Sequence, residues 1–128
     1  AAPAYLGDMD KCREATRWFP AMVGNHVADI VEKYGTDRED IPETLTSYIK
    51  DRKGYDYSKH GQSDNPYLDF ITDDIIDAFA VLGSANDHVA KLKKLEAAGV
   101  TQFNIYLDNG DEENIIAEYG KTVIPALS

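Results

Sequence analysis

The 128 residues carry 23 Asp and Glu against 13 Lys and Arg, a formal net charge of −10. That balance excludes a phosphate-backbone binder and a protein that docks on anionic lipid, since both need clustered Lys and Arg. With 43% apolar and 28% charged residues the chain reads as one ordinary globular unit, and its single cysteine, Cys12, excludes an internal disulfide or a cysteine-rich zinc site.

No apolar run approaches the ~20 residues of a membrane span. The opening Ala1-Ala2-Pro3-Ala4 lacks the basic start and long apolar core of a secretory signal. A cytoplasmic location is therefore expected. The chain does not open on Met, which fits a processed or truncated product.

The first helical pattern runs from Asp8 to Phe19, with Asp8 or Asp10 as cap and Met9, Cys12, Ala15, Trp18 and Phe19 at helical spacing. Pro20 removes a backbone donor and predicts a kink or break. A second helix is expected over Asn25 to Tyr34, where Val27, Ile30, Val31 and Tyr34 make an apolar stripe that Gly35 ends. A third opens at Asp40, which stands at capping-box distance from Glu43 with Pro42 between, and fades near Arg52-Lys53-Gly54.

Gly54 to Asn65 is rich in turn formers yet holds Tyr55, Tyr57 and His60. A long loop of this kind inside a compact domain suits a lid or binding loop. Thr72 then caps a short helix whose first turn carries Asp73 and Asp74, where negative charge suits the helix dipole. Ala80-Val81-Leu82 reads as a brief strand, and Gly83 turns the chain. Ser84 with Asp87 repeats the capping box for a helix from Ala85 to Ala98, lined by Val89, Leu92 and Leu95 and stopped by Gly99. Gln102 to Leu107 alternates as a strand. A turn at Asp108-Asn109-Gly110 leads into a last helix that ends at Gly120. The apolar tail Val123 to Leu127 should pack down.

Strand, helix, strand from Val81 to Leu107 is a parallel βαβ unit. Two short parallel strands leave open edges, so the sheet needs a partner, either a second copy of this chain or further sequence.

Few residues offer chemistry. The histidines His26, His60 and His88 lack the i, i+4 spacing of a helical metal pair, and no metal site is expected. His88, in the first turns of its helix, is expected at the surface. Cys12 reads as a small core hydrophobe rather than a nucleophile, and Gly83-Ser84 as a helix cap rather than a phosphate site. Asp108 to Glu113 lacks the ligand spacing of a calcium loop. Tyr55, Tyr57 and His60 are the substrate or lid candidates, with a purely structural role for the tyrosines equally open. No catalytic residue is named.

The stretch from Ile71 to Leu107 resembles the C-terminal part of luciferase-like monooxygenases. The residues that carry the resemblance are Asp77, Phe79, Gly83 and Ser84, then Leu95, Gly99, Val100, Thr101 and Phe103. Arg17-Trp18-Phe19, Gly24-Asn25-His26-Val27, Tyr55-Asp56-Tyr57 with His60-Gly61, and Val123 to Leu127 are similar to a branch of flavin- or deazaflavin-dependent oxidoreductases. The resemblance implies a (β/α)₈ barrel, which needs ~250 residues. The chain is then an α/β, mostly helical C-terminal fragment of such a TIM barrel. It would hold one or two parallel strands completed by self-association as a homo-oligomer. Residues 1–71 would form a helical segment with a lid-like loop at 54–65, and residues 72–128 the strand-helix-strand-helix end of the barrel. The intact enzyme would use FMN or a deazaflavin, with none bound by this chain alone, which would be inactive by itself. The alternative is a stand-alone oligomerising or protein-interaction module.

Overall fold

The computed structural model describes residues 1–34, 71–107 and 110–128. The chain divides into two compact units, Ala1–Thr16 with Ala80–Ser128, and Arg17–Phe79.

The first unit holds a parallel sheet of three strands, one more than the sequence predicts. The strands are β1 (Ala2–Leu6), β2 (Val81–Gly83) and β3 (Ile105–Tyr106), in the order β2-β1-β3. β1 is the strand the sequence reading missed. It is short and contains a proline, but it is also an apolar run closed by Gly7-Asp8, which is how a buried parallel strand reads. Pro3 cannot donate to a ladder, and the pairing with β2 starts one residue later, at Ala4↔Val81, and runs through Tyr5↔Leu82 to Leu6↔Gly83.

On the other edge Ala2 faces Ile105 and Pro3 faces Tyr106. This register explains why β3 is shorter than the predicted Gln102 to Leu107. Residues 102–104 have no strand residue opposite them beyond the bond from the Ala2 N–H to the Asn104 carbonyl, at 3.1 Å. The order also differs from that of consecutive barrel strands, where each strand neighbours the next. It is the order of an open sheet that changes direction between β1 and β3.

Helix α1 (Met9–Thr16) is capped by Asp8, whose carboxylate accepts from the Lys11 N–H at 3.2 Å. Helix α4 (Ala85–Ala97) has the predicted capping box: Ser84 accepts from the Asp87 N–H at 3.3 Å while the Asp87 carboxylate accepts from the Ser84 N–H at 2.8 Å. Gly83 is required just before it. Its φ is +107°, and a Cβ there would meet the Asp87 Oδ2 at 2.7 Å. The far end of α4 closes in a Schellman motif. The Gly99 N–H bonds the Glu96 carbonyl at 2.9 Å and the Val100 N–H the Leu95 carbonyl at 3.0 Å, with Gly99 at φ +97°.

The chain ends in α5 (Glu112–Glu118), a π-turn (Tyr119–Val123) and α6 (Ile124–Leu127). The π-turn has a reason in the sequence. Ile115, Tyr119, Val123 and Leu127 repeat every fourth residue. On a pure α-helix of ~3.6 residues per turn, such a row drifts by about 40° a step. A wider i→i+5 turn winds the drift back and keeps the row facing the core. Ala4, Val81, Leu92, Ile115, Tyr119 and Val123 form that core. The predicted tail therefore packs only in part, since Val123 is buried and Ile124 is 56% exposed.

In the second unit α2 (Trp18–Tyr34) runs through Pro20, correcting the expected break. Pro20 is the third residue of the helix, and N–H groups of the first turn have no intrahelical acceptor to lose. The break falls one turn earlier, at Arg17. Its guanidinium bonds the Ile71 carbonyl and lies 3.5 Å from Asp73 at the start of α3 (Asp73–Phe79), which packs on α2. Ile71, Ile75 and Ile76 are buried, and Thr72 accepts from the Ile75 and Ile76 N–H groups through its carbonyl at 3.1 Å. The predicted helix from Asp40 lies outside the described residues.

Candidate functional site

The carboxyl ends of parallel strands are where α/β proteins place ligands. At the ends of β1 and β2 the structure gathers Cys12, His88 and Tyr119 around one backbone carbonyl, that of Tyr5. His88 is fully buried, which corrects the expectation that it lies at the surface. Its Nε2 stands 3.0 Å from the Tyr5 carbonyl and its Nδ1 2.9 Å from the Tyr119 hydroxyl. A carbonyl only accepts, so Nε2 carries the proton and Nδ1 accepts from Tyr119. In the neutral imidazole, the form that burial favours, these partners select one tautomer. The two rings meet edge to face, with centroids 5.6 Å apart.

The sequence contains the signal for this burial. His88 stands three residues after Ala85, four before Leu92 and seven before Leu95, on the apolar stripe of α4. Tyr119 is marked in the same way by its fourth-residue row.

Burial depresses the His88 pKa most. The Tyr5 carbonyl and the Asp87 charge oppose that shift, and the Lys91 charge adds to it. Burial pushes Tyr119 up to about 12. The Cys12 thiol contacts the Tyr5 carbonyl at 3.5 Å. Burial raises its pKa, the Gly83 backbone lowers it, and Asp8 raises it further. A buried thiol of raised pKa is a poor nucleophile, so Cys12 behaves as the core residue the sequence reading favoured. The Ser84 hydroxyl and N–H hold the Asp87 carboxyl below the usual range. Among the described residues every buried side-chain N or O has a partner. The cluster is a closed polar network with no free group aimed at a ligand.

Beside it opens a groove of about 310 Å³ between the end of α4, β3 and α6, lined by Leu95, Val100, Phe103, Ile105 and Ile124, with Glu96 at its edge. No Lys or Arg lines it. A phosphate-bearing flavin or deazaflavin needs donors and positive charge, so this groove does not fit such a group, and none of its residues is given a cofactor role.

The residues the sequence offered as site candidates, Tyr55, Tyr57 and His60, lie outside the described residues. Gly110 to Asn114 forms a self-bonded acidic turn, with the Gly110 N–H on Glu112 at 2.9 Å and Asn114 on Asp111 at 3.0 Å. Among the described residues no cluster of three or more His, Cys, Asp or Glu could hold a metal ion. No described helix is long and apolar enough to cross a membrane.

The chain is similar to 5,10-methylenetetrahydromethanopterin reductases of two organisms. It is 30% identical to that of Methanopyrus kandleri over 120 residues, which cover 92% of this chain and 31% of the relative. It is 27% identical to that of Archaeoglobus fulgidus over 122 residues, 94% of this chain and 35% of the relative. The chain therefore spans about a third of the length of the curated relatives it matches. No family model matches, and no solved structure matches. The similarity supports the luciferase-like resemblance at the superfamily level, and both relatives are named as reductases, in keeping with the oxidoreductase class.

Proposed function

We propose that this chain is one portion of a luciferase-like oxidoreductase and is inactive without the rest. The observation that carries the reading is the similarity itself. It runs over 92% and 94% of this chain yet takes in about a third of each reductase. The intact enzyme would reduce a pterin-linked substrate of the class for which the relatives are named. A deazaflavin, with FMN as the second choice from the resemblance, would supply the redox chemistry when bound. The groove at β3 does not suit it.

In a complete barrel β3 would leave β1 for the free edge of β2, and another strand would take its place on β1. The two-residue ladder between β1 and β3 is slight enough to exchange. Until then the outer edge of β3 has no partner strand among the described residues, and exposed Val100, Tyr106, Leu107 and Ile124 lie in and around β3 and the C-terminal turn. Open edges of this kind favour self-association of the isolated chain.

Spectral titration with FMN and with a deazaflavin tests the reading on both the isolated chain and the full native product. Saturable binding and substrate reduction by the full product alone are expected. Turnover by the 128-residue chain would overturn the claim that it is inactive by itself. A full product that binds neither cofactor would overturn the oxidoreductase reading.

A further inference from the structure

We propose that His88 is an acid-sensitive latch that holds the C-terminal helical segment, Tyr119–Leu127, on the sheet. The proposal is independent of the redox reading, because it rests on how three elements meet at one ring. α4 supplies the imidazole, β1 the Tyr5 carbonyl at 3.0 Å, and the π-turn the Tyr119 hydroxyl at 2.9 Å. The ring is a polar tie between β1 and the C-terminal segment.

The groups that face it are these. From β1 comes a carbonyl, from the π-turn a neutral hydroxyl, and from α1 the Cys12 thiol, which shares the Tyr5 carbonyl at 3.5 Å. The charges that act on it are Asp87 and Lys91 of its own helix, and their signs oppose. No carboxylate from β1, α1 or the π-turn is among the groups that act on the ring. A proton added to Nδ1 would also meet a hydroxyl that now donates to that atom, so the bond would have to reverse.

The end of the segment is short and partly exposed. α6 has four residues, and Ile124 is 56% exposed. Lifting it admits water to the ring, which then titrates near its ordinary value of ~6.5. The sign follows. The open state binds the proton and the closed state resists it. Opening is therefore disfavoured above ~6.5, and below that point it gains about tenfold per pH unit until the closed state also titrates. Most carboxylates titrate lower, near ~4, so the range from 7.5 to 5.5 isolates histidine.

Amide hydrogen exchange of the 128-residue chain at pH 7.5, 6.5 and 5.5, corrected for intrinsic rates, tests the latch. Protection of the amides from Tyr119 to Leu127 should fall about tenfold between pH 7.5 and 5.5, most of it below pH 6.5, while α3 keeps its own. H88Q should abolish that dependence and leave His26 and His60 as internal controls. Should H88Q fail to fold, an NMR titration of the wild-type ring decides. A ring that stays neutral while the segment is closed supports the latch. Equal protection at pH 7.5 and 5.5, or a ring that titrates normally under a closed segment, overturns it.

Discussion

The two edges of β1 are built differently. On one, β2 is buried along its length, pairs through three residues and passes at once into a helix with a complete capping box. On the other, β3 pairs through two residues, is half-buried and exposed, and borders an open apolar groove. The β2 edge contains everything it needs within a few residues of sequence: Gly83 for the turn, Ser84 and Asp87 for the cap, and Leu92 for the core. The β3 edge has the alternation of a strand but lacks a full-length neighbour. Local signals complete a structure only where the surface they bury is also present.

That contrast can be broken first at the core. Leu92→Ala removes a buried side chain beneath the β2 edge and should cost about 2–5 kcal/mol, read by urea unfolding. Tyr119→Phe leaves the buried Nδ1 of His88 without its donor and should cost about 1–3 kcal/mol. The alkaline limb checks the same residue. Tyr119 titrates near 12 in the fold, above the ~10 of an unfolded chain. Its contribution is therefore complete below pH ~10 and lost as the pH rises from there through the folded value. Tyr119→Phe should remove that part of the alkaline slope.

Ser84→Ala should cost about 0.5–2 kcal/mol through the lost cap. On the β3 edge the same kind of change should do little to the chain by itself. Ile124→Ser should shift stability by no more than about 0.5 kcal/mol. It should nonetheless weaken the self-association proposed for the isolated chain, measured by light scattering across a dilution series. A loss of stability as large as that of Leu92→Ala would show that the β3 side is closed after all.

Legibility in the sequence followed the same division. Helix α4 could be read to within one residue because its start and stop are written in Ser84, Asp87 and Gly99. β1 could not, because Ala-Pro-Ala-Tyr-Leu has little strand propensity and becomes a strand through burial between two neighbours. Pro20 misled through position, since a proline that breaks a helix interior is harmless in its first turn. His88 misled through residue type. Its place on the apolar stripe outweighed its polarity once Tyr5 and Tyr119 satisfied both nitrogens. Those partners lie 83 and 31 residues away, beyond any local pattern. The loop candidates Tyr55, Tyr57 and His60 stand as a sequence expectation, to be tested by substitution in the full product.

The most direct measurement is the intact mass of the native gene product in its source cells. The account predicts a protein well above the 14.2 kDa of this chain, as the 31% and 35% coverage of its relatives implies. A product near 14.2 kDa would contradict it, and the open β3 edge would then belong to a small self-associating module.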